Sequence, residues 1–206
     1  MIIQELKPSK RVEGRWLAVL EDGSILRLGE SEVVDFALYA GKELTGGEAD
    51  RLQNAIHRGA VKTKAIEILM RKPQSRRELE RKLGEWGAAE DESAAVCDRM
   101  EELGYLNDGA YAAQVVRHYA ARGFGEKKLR DELYRRGVPR ELWEEALEQA
   151  EDPADAIDAL IAKKLAGRIP DRREMKKVSD ALMRRGYRWS EISEGLRRYG
   201  AELEPD

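Results

Sequence analysis

The period of hydrophobic and polar positions changes once along the chain. Up to about residue 29 the apolar residues come in short runs. Residues 12–20 (VEGRWLAVL) precede Glu21-Asp22-Gly23-Ser24, and residues 25–28 (ILRL) follow. An Asp-Gly step between two such runs predicts a β-hairpin, because both residues tolerate the backbone of a tight turn. A lone hairpin is marginal in water and needs a cover for one face. The expected cover is a helix over residues 31–40, with Ser31 as N-cap and Val33, Val34, Phe36, Ala37 and Tyr39 as apolar material. Gly41 and Thr45-Gly46-Gly47 punctuate the chain before a further helical stretch near Glu48.

From about residue 60 the period is helical only, and it repeats. Leu79-x3-Leu83-x3-Gly87, Leu129-x3-Leu133-x3-Gly137 and Val178-x3-Leu182-x3-Gly186 have their glycines 50 and 49 residues apart. Each puts two apolar side chains on one helix face, then a glycine where a helix should close. Val138, Trp143 and Leu147 correspond, 49 residues on, to Tyr187, Ile192 and Leu196. In the first copy, Val96, Met100 and Leu103 take these places after an insertion of about six residues. A further helix precedes each copy, at residues 65–70, 115–121 and 157–166. The predicted fold is mainly α. It is a tandem array of three three-helix, helix-turn-helix-like repeats (60–111, 112–151 and 152–206) behind a small β-hairpin and helix cap (1–59).

Composition narrows the class. The 206 residues carry 37 Lys+Arg against 40 Asp+Glu, net −3, and 42% are hydrophobic, enough for a core. No apolar run approaches the ~20 residues that span a bilayer. The start, MIIQELKPSK, lacks the apolar segment of a signal peptide, so a cytoplasmic protein is expected. One cysteine, Cys97, excludes an intrachain disulfide framework and a Cys-rich zinc site.

The near-neutral total conceals alternating bands. Residues 62–82 are net +5, 117–136 are +4 and 163–188 are +7, whereas 90–102 are −5 and 141–158 are −8 with no base. With Leu129 and Leu133 turned inward, Lys127, Lys128, Asp131 and Arg135 fall on the far side of their helix. Lys176, Lys177, Asp180 and Arg184 repeat the set, while Arg136 and Arg185 correspond nearer the core rim. The first copy keeps Arg77 and has Arg81 in place of the aspartate, with Glu78 and Glu85 replacing two bases. Arg130 and Arg173 complete the cations expected on a partner-binding surface. Such i,i+4 series also serve an ordinary solvated helix by a few tenths of a kcal/mol per pair. A sequence pI near 5.7 argues against an autonomous strong DNA binder.

No catalytic constellation emerges. His57 and His118 have no metal-ligand spacing, and Cys97 beside Val96 and Met100 reads as a small buried hydrophobe. Gly123-Phe124-Gly125 follows a helix and lacks the GK[ST] of a phosphate loop, so it reads as an inter-helix turn. The acidic run 141–158 lacks the calcium-loop pattern. Neither enzyme activity, cofactor nor metal is expected.

Several stretches together resemble the RecX family of recombination regulators. They are residues 66–87 (IEILMRKPQSRRELERKLGEWG), Leu103-Gly104-Tyr105-Leu106-Asn107-Asp108 with Tyr111-Ala112, Arg122-Gly123-Phe124-Gly125 leading into 129–137, and Arg184-Arg185-Gly186-Tyr187 with Ile192. The resemblance covers about residues 60–200. It marks Gly87, Gly104, Tyr105, Leu106, Asp108, Gly123, Gly137 and Gly186 as structural motif positions. It implies a protein that binds the RecA recombinase filament in recombinational repair and the SOS response. There it modulates, usually inhibits, the ATPase, strand-exchange and coprotease activities. A monomer is the default for an array that presents its long face to a filament. Some members of the family also bind DNA, so the alternative is a helical module binding nucleic acid nonspecifically through its basic faces. That surface lacks Asn and Gln, which would read adenine, so sequence-specific readout is not expected.

Overall fold

The computed structural model describes residues 1–166, 168 and 170–200, so residues 201–206 of the expected third repeat lie outside it. The described residues form three strands and ten α-helices. They fall into two compact units, one of Met1–Arg71 with Lys82–Arg99, the other of Lys72–Arg81 with the chain from Met100 onward.

In the first unit the expected hairpin is part of a larger sheet. Strands β1 (Ile3–Pro8), β2 (Arg15–Leu20) and β3 (Ile25–Gly29) pair antiparallel in that order, with Leu6 opposite Ala18 and Ala18 opposite Leu26. Asp22-Gly23 makes the β2–β3 turn with Gly23 at φ +81°. Strand β1 has no apolar alternation because it is an edge strand. Ile3 is its one buried residue, so the sequence shows only a mixed polar stretch.

The helix over the sheet is shorter than its sequence suggests. Helix α1 spans Glu30–Asp35 and starts after Gly29, whose N–H donates to Glu32 Oε2 at 2.7 Å; Ser31 is not the cap. Its chain turns at Ala37 (φ +44°) so that Leu38 enters the core, which leaves Val34 and Tyr39 exposed. The cover is instead shared by Leu38, Leu44 and Leu52 with the partly buried Val33 and Phe36, all packed on Ile3, Ala18, Leu20 and Leu28. Leu52 belongs to helix α2, which runs unbroken from Gly46 to Arg71, through residues 59 and 60.

Helices α3 (Arg76–Trp86) and α4 (Glu90–Glu102) follow. On α4 the inward positions are Ser93, Cys97 and Met100, whereas Leu103, expected inside, is 43% exposed. The chain bends at Gly104 (φ +74°) just beyond it, and Leu106 is buried in its place.

In the second unit, two three-helix repeats have separate cores. Helices α5 (Asp108–Ala120) and α6 (Glu126–Arg135), a 3₁₀ turn (Arg140–Leu142) and α7 (Trp143–Leu147) enclose Tyr111, Val115, Val116, Leu129, Leu133 and Val138. Helices α8 (Ala154–Leu165), α9 (Arg172–Arg184) and α10 (Trp189–Arg198) enclose Ile157, Ile161, Val178, Leu182, Ile192 and Leu196. Burial of these side chains, roughly 1.5–3 kcal/mol each before entropy, explains why the 49-residue period is carried by Leu, Ile and Val.

The three repeat glycines close their helices identically. Gly87, Gly137 and Gly186 all have positive φ, and the next residue's N–H returns to the carbonyl of Leu83, Leu133 or Leu182 at 3.0, 3.1 and 3.3 Å. This is the Schellman closure, in which the left-handed residue frees the chain to double back.

Candidate partner-binding face

The middle helices of successive repeats in the second unit meet end to end. The N–H groups of Gly125 and Lys127, at the start of α6, donate to the carbonyls of Arg185 and Gly186 at the end of α9, at 2.9 and 3.1 Å. In the same way Ser75 Oγ, at the start of α3, donates to the Arg136 carbonyl at the end of α6. Between α6 and α9, backbone donors that a helix start leaves unpaired thus meet carbonyls that a helix end leaves unpaired, while at α3 a side-chain hydroxyl makes the link. At both, the positive and negative ends of the helix dipoles are apposed.

Arg136 and Arg185 stand at these junctions. Arg136 Nη1 donates to Tyr111 Oη at 2.8 Å and lies 3.8 Å from Glu78 Oε1, while Nη2 reaches Tyr119 Oη at 3.4 Å. Tyr111 Oη in turn donates to Glu78 Oε2 at 2.8 Å. Arg185 Nη1 donates to the Arg122 and Gly123 carbonyls, both at 3.1 Å, and its guanidinium lies 5.5 Å from the Phe124 ring centre. The pair was visible as a 49-residue correspondence, but its junction role was not, because partners from another repeat leave no mark on spacing. Glu78, which departs from the basic pattern of the later copies, is committed to this network.

Burial, first, and the hydrogen bond to Glu78 push the Tyr111 hydroxyl up to about 12. Because its folded value is the higher one, its stabilising contribution is complete below about pH 10, the unfolded tyrosine value, and is lost as pH rises toward 12. Urea unfolding across that range should therefore show a decline that is shallower in Tyr111→Phe than in the parent. An identical decline in both would exclude the assignment.

The cations expected on the outer face divide into two sets. In the second repeat most have carboxylate partners. Lys128 Nζ and Arg135 Nη1 lie 3.3 and 3.0 Å from Glu132 Oε1, and Arg130 bonds both Glu126, at 2.7 Å, and Glu144, at 2.8 Å. Burial alone would raise the Glu132 carboxyl, but hydrogen bonds from Lys128 and Tyr119 outweigh it and hold it low. Lys127 is the exposed cation of this helix with no ion pair among the described residues.

The third repeat is different for a reason visible in the alignment of copies. Glu132 corresponds to Ala181, Glu126 to Met175 and Arg130 to Ser179. Lys176, Lys177, Arg184 and Arg173 are accordingly exposed and have no ion pair among the described residues. Helix α9, about 20 Å long, is therefore a cationic ridge, and Lys127 joins it where α6 abuts the end of α9. On α3, Arg77 is exposed and lies against Gly137, and Arg81 is exposed but engaged.

The motif positions lie at turns and helix ends, with Leu106 in the core and Tyr105 on the surface. The Asp108 carboxylate accepts the Arg76 backbone N–H at 2.8 Å, and Gly104 turns the chain so that the Tyr105 N–H reaches the Met100 carbonyl at 2.9 Å. Gly123 (φ +73°) ends the α5 turn with Phe124 N–H on the Tyr119 carbonyl at 3.2 Å. Leu106 is buried, and Tyr105 is 56% exposed. Among the described residues no group of His, Cys, Asp and Glu is arranged to hold a metal ion, and no helix is long and apolar enough to cross a membrane.

Three-helix repeats joined end to end in the second unit, with a solvent-facing cationic ridge, define a helical-repeat protein. Comparison with known proteins gives the particular lineage. Residues 62–100 match the family model described as the first three-helix domain of RecX, and residues 107–147 match that of the second. The curated regulatory protein RecX of Pseudomonas fluorescens is 34% identical over 145 residues, covering 69% of this chain and 94% of the relative. That of Xanthomonas axonopodis pv. citri is 34% identical over 136 residues, covering 65% and 84%. A crystal structure of regulatory protein RecX matches with a TM-score of 0.76 at 23% identity, over 94% of this chain and 98% of the other. RecX from Lactobacillus salivarius matches at 0.66 over 71% and 98%. The chain belongs to the RecX family, whose curated members here carry the name of regulatory proteins.

Proposed function

We propose that this protein binds the RecA recombinase filament and inhibits its ATPase, strand-exchange and coprotease activities through the cationic face of α9 and the start of α6. The observation that carries this reading is the set of exposed cations without ion pairs, Lys127, Lys176, Lys177 and Arg184, on a chain that belongs to the RecX family. Cations held on a helix face without a carboxylate partner are available to an anionic surface, and their effect weakens as salt rises. A filament of recombinase on DNA presents both acidic side chains and phosphates, so a ridge that follows successive repeats can gather several weak contacts.

The test is RecA ATP hydrolysis on single-stranded DNA, titrated with this protein at low salt, beside direct binding to the same DNA without recombinase. Inhibition is expected at concentrations that leave free DNA unbound. The fourfold reversal Lys127→Glu, Lys176→Glu, Lys177→Glu, Arg184→Glu should raise the half-inhibitory concentration at least roughly tenfold, which corresponds to about 1.4 kcal/mol shared among four exposed charges. Unchanged inhibition by that variant removes the assignment of the face. Equally tight binding to bare DNA, with a steep salt dependence, would favour the nonspecific nucleic-acid module instead.

A further inference from the structure

A second surface, of opposite sign, lies at the junction of the second and third repeats. A cavity of about 620 Å³ opens there, floored by Phe124, Leu129, Leu147 and Tyr187. Its wall carries Glu151, Asp152, Asp155 and Glu191, none of which has an ion pair among the described residues. Glu126 also lines it but is neutralised by Arg130 and Arg188. The one cation on the wall, Arg117, donates through Nη1 to Oε1 of Gln149, itself a lining residue, at 2.8 Å, so the wall keeps a net negative charge with four carboxylates against it.

Tyr187, which lines this cavity, is a polar side chain without a hydrogen-bond partner among the described residues, with Arg185 and Glu191 as its charged neighbours. The residue is 5% exposed, its ring belongs to the core of the third repeat, and its hydroxyl makes no hydrogen bond with the described residues. A phenol without a hydrogen-bond partner, on a residue that lines a cavity with four carboxylates outside any ion pair, is an acceptor for a donor-rich cation. Of the four, Asp152 and Glu191 also accept backbone N–H groups, which leaves Glu151 and Asp155 the more available. An apolar floor beneath such a wall fits a side chain with an aliphatic stem and a charged head better than it fits a bare ion.

We infer that this cavity docks an arginine carried on an apolar segment of a partner protein. Its guanidinium would face Asp155, Glu151 and Tyr187 Oη, and the flanking apolar residues would cover Phe124 and Leu147. Arginine suits the site because its five donors spread over a plane and can serve several separated acceptors at once, where an ammonium is a point. This inference does not rest on the recombinase reading, and its test contains no recombinase.

The test is an amide NMR titration of the full chain with three capped peptides, Leu-Arg-Leu, Leu-Lys-Leu and Leu-citrulline-Leu. The arginine peptide should shift the amides of Phe124, Gly125, Ala150 and Ala156 at millimolar concentration, the lysine peptide more weakly, and the uncharged citrulline peptide not at all. Glu151→Gln with Asp155→Asn should weaken the arginine peptide by roughly tenfold, as expected for loss of two partly shielded charges. Tyr187→Phe, which keeps the core ring, should weaken it about threefold, in the range of one neutral hydrogen bond. Equal shifts by the citrulline peptide, shifts confined to other amides, or no response to the arginine peptide would each overturn the inference.

Discussion

Gly125→Ala should destabilise the protein by about 3 kcal/mol, the sum of overpacking and of two weakened backbone hydrogen bonds. Gly125 has an ordinary backbone conformation, so nothing local forbids a side chain. A Cβ there would stand 2.6 Å from the Gly186 carbonyl carbon and oxygen and from the Tyr187 nitrogen, all of them backbone atoms that cannot rotate away. Gly186→Ala should cost at least as much. Its Cβ would meet Lys128 N at 2.5 Å and Lys128 Cβ at 2.8 Å, and its φ of +91° is unfavourable to any L side chain. For a chain of this size the calorimetric midpoint should fall by roughly 6–12 °C for Gly125→Ala. The control is Gly84→Ala on α3, where a Cβ meets nothing and a gain of about 0.5–1 kcal/mol is expected. A Gly125→Ala midpoint within a degree or two of the parent would mean that the end-to-end contact of α6 and α9 is not a tight one.

Arg136→Met should cost about 2–3 kcal/mol, below the range for fully buried pairs because the side chain keeps a fifth of its exposure. The loss comes less from missing attraction than from what remains. Glu132, whose side chain is 5% exposed, and Glu78 keep their charges, and the Tyr111 and Tyr119 hydroxyls lose a donor. Arg136→Lys should recover little, since two separate guanidinium nitrogens serve two hydroxyls and a single ammonium cannot. Arg185→Met should cost only about 1 kcal/mol, because water can replace its bonds to two carbonyls at the surface. Chemical unfolding of the three variants ranks them, and an Arg136→Lys variant as stable as the parent would refute the fork-like role.

The repeat frame was legible because helix closure and core burial act within one repeat and so recur at a fixed interval. Leu129 with Leu133 and Val178 with Leu182 are buried at the places their period predicts. The cap was harder to read. An edge strand needs only one buried residue, as Ile3 shows, and α1 is ended by the demand of Leu38 for the core, which no residue of α1 announces. The cationic face was legible as sequence and partly misleading as charge. Glu132 lies between an inward Leu129 and Leu133, so it looks like a surface acid at i+4 from Lys128, yet it is buried and takes up Lys128 and Arg135. Its replacement by Ala181 one repeat later is the change that leaves Lys177 and Arg184 unengaged. Junction partners were the least legible, because contacts such as Gly125 with Arg185 join residues some sixty positions apart and leave no periodic trace.

The starts of the middle helices behave like open and closed valences. Helix α6 begins at a glycine with no side chain to satisfy its first donors, and it takes the carbonyls at the end of α9 instead. Helix α9 begins at Asp171, whose carboxylate accepts the Glu174 N–H at 2.6 Å while Glu174 returns to the Asp171 N–H at 3.3 Å. One end is offered and the other is self-terminated. The start of α3 shows that self-capping alone does not close an end, since Ser75 accepts the Glu78 N–H at 3.1 Å and still donates its hydroxyl to the Arg136 carbonyl. A glycine or a serine can meet a neighbour's carbonyls, whereas an aspartate carboxylate only accepts and has nothing to give them. A designer wishing to lengthen such an array would begin by reopening that aspartate.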